Sequence, residues 1–308
     1  MRKLCFLFRV GWGGVIGLCL TLVLIAAALL APLVAPADPN ALGVEGTYAP
    51  PSLAHPFGRD SFGRDTLSRV LYGSRISLVI GFVSVLIGAT AGSLLGVVAA
   101  YRGGRIDRVI LRATDVMLSF PTLILGLLVV VALGPDVTNA TIAVAVTLVP
   151  KFVRYARGPG IAVSRREFVQ GAIAAGAGNL RVIFRHILPS VISPVAVMAA
   201  IWVGIAIRIE ASLSFLGVGV PPPTPAWGSM MREGVEAMLF TPWLALFPGL
   251  AIMVTILAMN LLGDWLRDVL DPHMVSMFRE ADSPGEGAER APVRVSSYSS
   301  GDEIARLG

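Results

Sequence analysis

Three histidines, two cysteines and two lysines are the residues in this 308-residue sequence best suited to covalent or metal chemistry, and their spacing supports none of it. His55, His186 and His273 lie far apart, with no His-Glu-x-x-His pair for a metal. Cys5 and Cys19 both fall within the first 20 residues, at or inside an apolar run, which excludes a disulfide framework and any zinc-type Cys/His spacing. A phosphate-cradling loop needs Gly-x-x-x-x-Gly-Lys-Ser/Thr. Lys3 follows Arg2 and Lys151 follows Pro150, so neither lysine fits. No Gly-x-Ser-x-Gly elbow offers a nucleophile. The expectation is no catalytic residue, no cofactor and no metal site in this chain. If ATP drives the protein, another subunit binds it.

The elements that carry these residues are of membrane type. The chain is 55% hydrophobic and 15% charged, against about 25% charged for a soluble domain, and its mean hydropathy is +0.75. A net charge of +5 could suggest nucleic acid, but the basic residues alternate with apolar runs instead of forming one patch. A bilayer core of about 30 Å takes roughly 20 apolar residues as a helix. Six stretches approach that length, at 13–35, 76–101, 114–134, 137–156, 189–211 and 240–263. The fold class is therefore an all-α polytopic membrane protein with six transmembrane helices. The first stretch is read as an uncleaved span, since it exceeds the roughly 7–15 residues of a signal h-region.

Arginine sets the topology. Arg2, Lys3 and Arg9, then Arg102, Arg105, Arg108 and Arg112, then Lys151 to Arg185 fall on one side of six spans. The opposite loops are balanced or acidic, with four arginines and four acids in 36–75. Both termini are thus expected in the cytoplasm. The layout is a cytoplasmic segment 1–12, a first span 13–35, an extracytoplasmic segment 36–73, a five-span domain 74–263 with a cytoplasmic loop 157–188, and a cytoplasmic end 264–308 that reads as disordered from about 277. No ionisable residue lies between Arg75 and Arg102, Asp115 and Asp136, His186 and Arg208, or Glu236 and Asp264, which gives little support to a proton- or sodium-driven cycle.

Within this frame, Gly88, Gly92 and Gly96 line one helical face and permit close approach, either to the chain's own bundle or to a second subunit. The segment Phe57 to Asp65 repeats Phe-Gly-Arg-Asp, and Asp65 can cap a short amphipathic helix with Leu67, Val70 and Leu71 on its apolar side. The loop 157–188 holds two short helices broken near Gly176–Asn179, the second with Leu180, Ile183, Phe184 and Ile187 on one face. From Gly171 to Gly178 nearly every residue is small or apolar, which suits either a docking knob or a packed loop.

Gln170-Gly171-Ala172 with Gly176, followed by His186-Ile187-Leu188-Pro189, resembles the cytoplasmic coupling loop of ABC importer membrane subunits. His55-Pro56-Phe57-Gly58 through Gly63-Arg64-Asp65, Leu67 to Gly73, Leu213-Ser214-Phe215-Leu216-Gly217, Pro225-Ala226-Trp227-Gly228, Pro242-Trp243-Leu244 and Asn260-Leu261-Leu262-Gly263-Asp264 are similar to the dipeptide/oligopeptide/nickel branch, C-type permease. The resemblance spans about residues 10–273. It implies a type I ABC importer permease fold in a bacterial inner membrane, paired with a homologous second permease. It also implies two ABC ATPase subunits carrying ATP and Mg, an extracytoplasmic solute-binding protein and surrounding lipid.

On the same resemblance Glu167, Phe168, Gln170, Gly171, Ala172, Gly176, Ala177 and Gly178 enter the ATPase groove. The cargo is a di- or oligopeptide, with nickel chelate, glycoside or another small solute as alternatives and a membrane assembly factor as a distant one. Glu210, beside Arg208 near the outer end of span five, is either a substrate contact or a local ion pair or helix-end hydrogen bond. Asp264 and Arg267 are spaced for an i, i+3 pair, and Trp227 and Trp243 suit the interfacial aromatic belt.

Overall fold

The computed structural model describes residues 12–43 and 46–270. The basic N-terminal residues and the tail expected to be disordered lie outside that range. Among the described residues the regular elements are all helices, and the strand-like pairing is a single isolated bridge between Arg59 and Asp65. Helix α1 spans Trp12–Val34, α2 Thr66–Arg102, α3 Gly104–Ser119, α4 Thr122–Leu133 and α5 Val137–Ser164. Helix α6 spans Glu167–Ala174 and α7 Asn179–Val182, which runs through a π-helical turn at Ile183–Ile187 into α8, Leu188–Phe215. An outer helix α9, Trp227–Glu236, precedes α10, Trp243–Leu270. Five helices are long and apolar enough to cross a membrane, and a sixth span forms if the α3–α4 pair, bent by 95°, crosses as one.

Three departures from the sequence expectations have physical causes. The amphipathic helix after Asp65 is not a separate element. No proline interrupts 66–102, so it forms the opening turns of the 37-residue α2. Asp65 does cap it, its carboxylate accepting from the Ser68 N–H at 2.7 Å. The buried side mixes polar and apolar residues, however: Ser68, Arg69 and Val70 are buried while Leu67 and Leu71 are only half-buried.

Most of the 102–112 segment, expected as a loop, is helical: Arg102 ends α2, and α3 begins at Gly104 after a break at Gly103. Pro121 then stops that helix and turns the chain into α4. Pro189 lies in the first turn of α8, yet the chain is already helical before it. Proline cannot donate to the carbonyl one turn back and crowds it, and the turn just ahead of it widens to π geometry while the helix continues. That widening splits the expected apolar face: Ile183 and Ile187 are buried, whereas Leu180 and Phe184 are exposed.

The core lies where α2, α5 and α8 meet, around Val97, Val144, Leu148, Phe152, Val203, Ile207 and Leu213. Small residues on α2 make the close approach possible. A Cβ on Gly88 would stand 2.8 Å from the Leu148 Cβ, and one on Gly92 2.6 Å from both the Phe152 Cβ and the Val149 carbonyl oxygen. On Gly96 it would stand 2.5 Å from the Val153 carbonyl oxygen. All three glycines thus face α5 of the same chain. Overpacking such a seam costs about 1–3 kcal/mol per site. Across the seam, Arg157 on α5 grips Asp107 on α3 through two bonds of 2.7 Å, and Arg154 meets Asp115 at 2.6 Å.

Candidate functional site

The loop 157–188 forms a protruding knob with a buried root. Helix α6 ends in a glycine-dependent reversal. The Ala177 N–H donates to the Ala172 carbonyl at 3.0 Å and the Gly176 N–H to the Ile173 carbonyl at 2.9 Å, with Gly176 at φ +83°. This is the Schellman arrangement, in which the positive-φ position favours glycine. Val169, Val182, Ile183 and Ile187 pack into the core beneath it. Tyr101 at the end of α2 pins the second half, its hydroxyl 2.9 Å from the Asn179 Oδ1, and the Gln170 side chain donates to the Ser164 carbonyl at 2.8 Å.

What the root does not hold is left outward. Glu167, Gln170, Gly171, Gly176 and Gly178 are exposed, Ala172 and Ala177 half-buried, and Phe168 is 48% exposed with its ring tilted toward His186. A Cβ at Gly171, Gly176 or Gly178 would find no atom within 4 Å. Most of the residues assigned to this loop are thus exposed, and at Gly171, Gly176 and Gly178 another body can approach the backbone closely.

A second constellation lies on the segment before α2, and sequence reasoning passed over it. The paired Phe-Gly-Arg-Asp units fold into a buried ion network. The Asp60 Oδ2 accepts from the Arg64 Nε at 2.6 Å and stands 3.4 Å from the Arg69 Nε, and its Oδ1 accepts the Phe62 and Arg64 N–H groups at 2.9 Å. The Arg64 Nη2 reaches Glu233 on α9 at 3.3 Å, and the Arg69 Nη1 donates to the Pro39 carbonyl at 3.2 Å. Asp65 completes a neighbouring cluster with Ser68 and His55. These bonds tie the 36–65 segment, the start of α2 and α9 into one unit. The available signal was the alternation of Arg and Asp, which is costly to bury unless the two pair.

Burial pushes the Glu233 carboxyl above the ordinary glutamate range, against the pull of Arg69 and Arg64. An acid whose folded pKa is raised stabilises the fold below its unfolded pKa and loses that contribution as pH rises through the folded value. Amide exchange in α9 is therefore expected to quicken, beyond its intrinsic trend, as pH rises through the raised Glu233 value. Glu233→Gln should flatten that dependence. An unchanged profile in the variant would refute it.

Three further expectations are corrected. Glu210 is fully buried and does not pair with Arg208. Its carboxylate accepts from the Ser77 Oγ on α2 at 3.1 Å and from the Ser214 Oγ at 2.8 Å. Positions 208 and 210 lie on nearly opposite sides of a helix of 3.6 residues per turn, so Glu210 points into the α2–α8 contact. Among the described residues no ion pair joins Asp264 to Arg267. Trp227 is 1% exposed, its indole N–H donating to the Val70 carbonyl at 3.0 Å, and so serves as a buried anchor of α9. Trp243 is half-buried against Gly58.

Comparison with known proteins places this architecture. Residues 92–276 match the family described as binding-protein-dependent transport system inner membrane component. A glutathione transport system permease protein of Pectobacterium atrosepticum is 43% identical over 83% of this chain and 85% of its own length. A dipeptide transport system permease protein of Haemophilus influenzae is 40% identical over 89% of this chain and 95% of its own length. Another of that description, from Alkalihalophilus pseudofirmus, is 41% identical over 85% and 86%.

Proposed function

This chain belongs to the family of binding-protein-dependent transport system inner membrane components, and on that premise we propose that it forms half of the membrane path of an ATP-driven importer of di- and oligopeptides. A homologous permease supplies the other half, two ATPase subunits hydrolyse ATP with Mg, and an extracytoplasmic binding protein delivers the peptide to the outer segments. Both termini and the 157–188 loop face the cytoplasm, consistent with the clustering of arginine there. Peptide cargo is supported by relatives named as dipeptide permeases.

The observation that carries the coupling role is the knob itself. It is rooted in the core through Val169, Val182, Ile183 and Ile187, yet small and open at its tip. Rigid at the base, it transmits displacement; small at the tip, it fits a groove. ATP binding that favours one ATPase arrangement then biases the spans toward one orientation by differential contact.

Gly171 is exposed with open space around it, so a cysteine there is tolerated. In a background of Cys5→Ser and Cys19→Ser, Gly171→Cys carrying a short thiol-reactive photo-crosslinker is expected to capture an ATPase subunit and not the binding protein. Capture of the binding protein, or of neither, in the assembled transporter would overturn the assignment.

A further inference from the structure

Lys151 is the one lysine among the described residues, and its surroundings are specific. It lies 14 positions beyond Val137 in the 28-residue α5, about 21 Å along a helix rising 1.5 Å per residue. That is midway along a membrane-length element. Its Nζ donates to the Thr122 hydroxyl at 3.1 Å and stands 4.7 Å from the centre of the Trp202 ring. Thr122 is the first residue of α4, just beyond the 95° break, and no side chain caps that helix start. Arg208 lies on the same helix as Trp202, six residues further on, and is exposed. Among the described residues no carboxylate lies within 4 Å of either cation.

An ammonium and a helix start therefore meet without a counter-charge, and a further cation, Arg208, is exposed on the helix that carries Trp202. A helix start carries a partial positive charge and free N–H groups. A cation in the interior of a membrane bundle ordinarily pairs with an acid or faces a water-filled path. The Thr122 hydroxyl and the Trp202 ring hold the ammonium in place but do not neutralise it. Because the ammonium has three donors and uses one on Thr122, two remain for a ligand.

We propose that Lys151, Arg208 and the start of α4 form an anion-recognition station in the transport path, and that it takes the free C-terminal carboxylate of the peptide. The station rests on the peptide-path reading. A carboxylate is the group that every unmodified peptide offers whatever its side chains, so such a station suits a path that admits many sequences.

The test is peptide binding to the solubilised whole transporter without its binding protein. Calorimetry would compare a tripeptide bearing a free C-terminus with the same tripeptide as its C-terminal amide. The free acid is expected to bind at least about tenfold more tightly than the amide. Lys151→Gln or Arg208→Gln is expected to remove that preference by weakening the acid alone, and Lys151→Arg to retain it. Equal affinity of acid and amide, no binding of either, or a preference unchanged in both glutamine variants would overturn the station. So would loss of the second permease from the complex in those variants, which would assign the cations to an interface ion pair. Peptide uptake by the intact transporter distinguishes the two readings. Uptake that persists while the station fails leaves the peptide importer standing, and its absence removes both.

Discussion

Gly176→Pro is expected to reduce peptide uptake about a hundredfold while leaving the amount of chain in the membrane unchanged. Gly176 adopts φ +83°, and its N–H donates to the Ile173 carbonyl at 2.9 Å. Proline fixes φ near −65° and has no N–H, a combined penalty of about 3 kcal/mol or more. A penalty of that size lowers the population of the native reversal by about two orders of magnitude. The damage stays local, because nothing lies within 4 Å of the position a Cβ would take. Gly176→Ala isolates the backbone contribution: it keeps the N–H and must bear a left-handed conformation at a cost of about 1–2 kcal/mol, so uptake should fall to an intermediate level. Uptake assays paired with quantitation of membrane-inserted chain read both effects. Full uptake by a correctly inserted Gly176→Pro chain would show that the bend carries no coupling.

The second large effect is expected from the outer ion network. The Arg64 side chain is 5% exposed and bridges Asp60 at 2.6 Å and Glu233 at 3.3 Å. Truncating one partner of a buried pair leaves the other charged and desolvated, typically about 3–5 kcal/mol. Arg64→Ala should therefore loosen α9 and the 36–65 segment and lower the thermal midpoint of the purified chain by several degrees. Asp60→Ala should act similarly, because it strips the acceptor from Arg64 and from two backbone N–H groups and removes a counter-charge of Arg69. The double variant should be less damaging than the sum of the singles, since each removes the charge the other strands. Midpoints unchanged in both single variants would mean that the network does not hold the outer segment.

Much of this fold is legible in hydropathy, because helices in lipid must satisfy their own backbone and announce themselves as long apolar runs. Their ends were less legible. Span four was expected to stop at 156, but α5 runs to Ser164. Lys151 therefore looked like the start of a basic loop, when it lies midway along a helix. Glu210 and Arg208 look like neighbours in one dimension, yet the helix turns them to opposite sides. The Gly176 reversal was legible because glycine has few reasons to end a helix other than a positive φ. The ion network was not, because its bonds join residues as far apart in sequence as Arg64 and Glu233, and only the tertiary fold brings them together. The same limit applies to Trp227, which looked interfacial until its partner, the Val70 carbonyl, was located.

The most direct test of the central claim is ATP hydrolysis by the reconstituted transporter, assembled with and without this chain and supplied with peptide-loaded binding protein. Hydrolysis that peptide stimulates, and that falls to the unstimulated rate when this chain is omitted or carries Gly176→Pro, is the predicted result. Stimulation that persists without the chain, or failure of the chain to associate with any ATPase subunit, would contradict it.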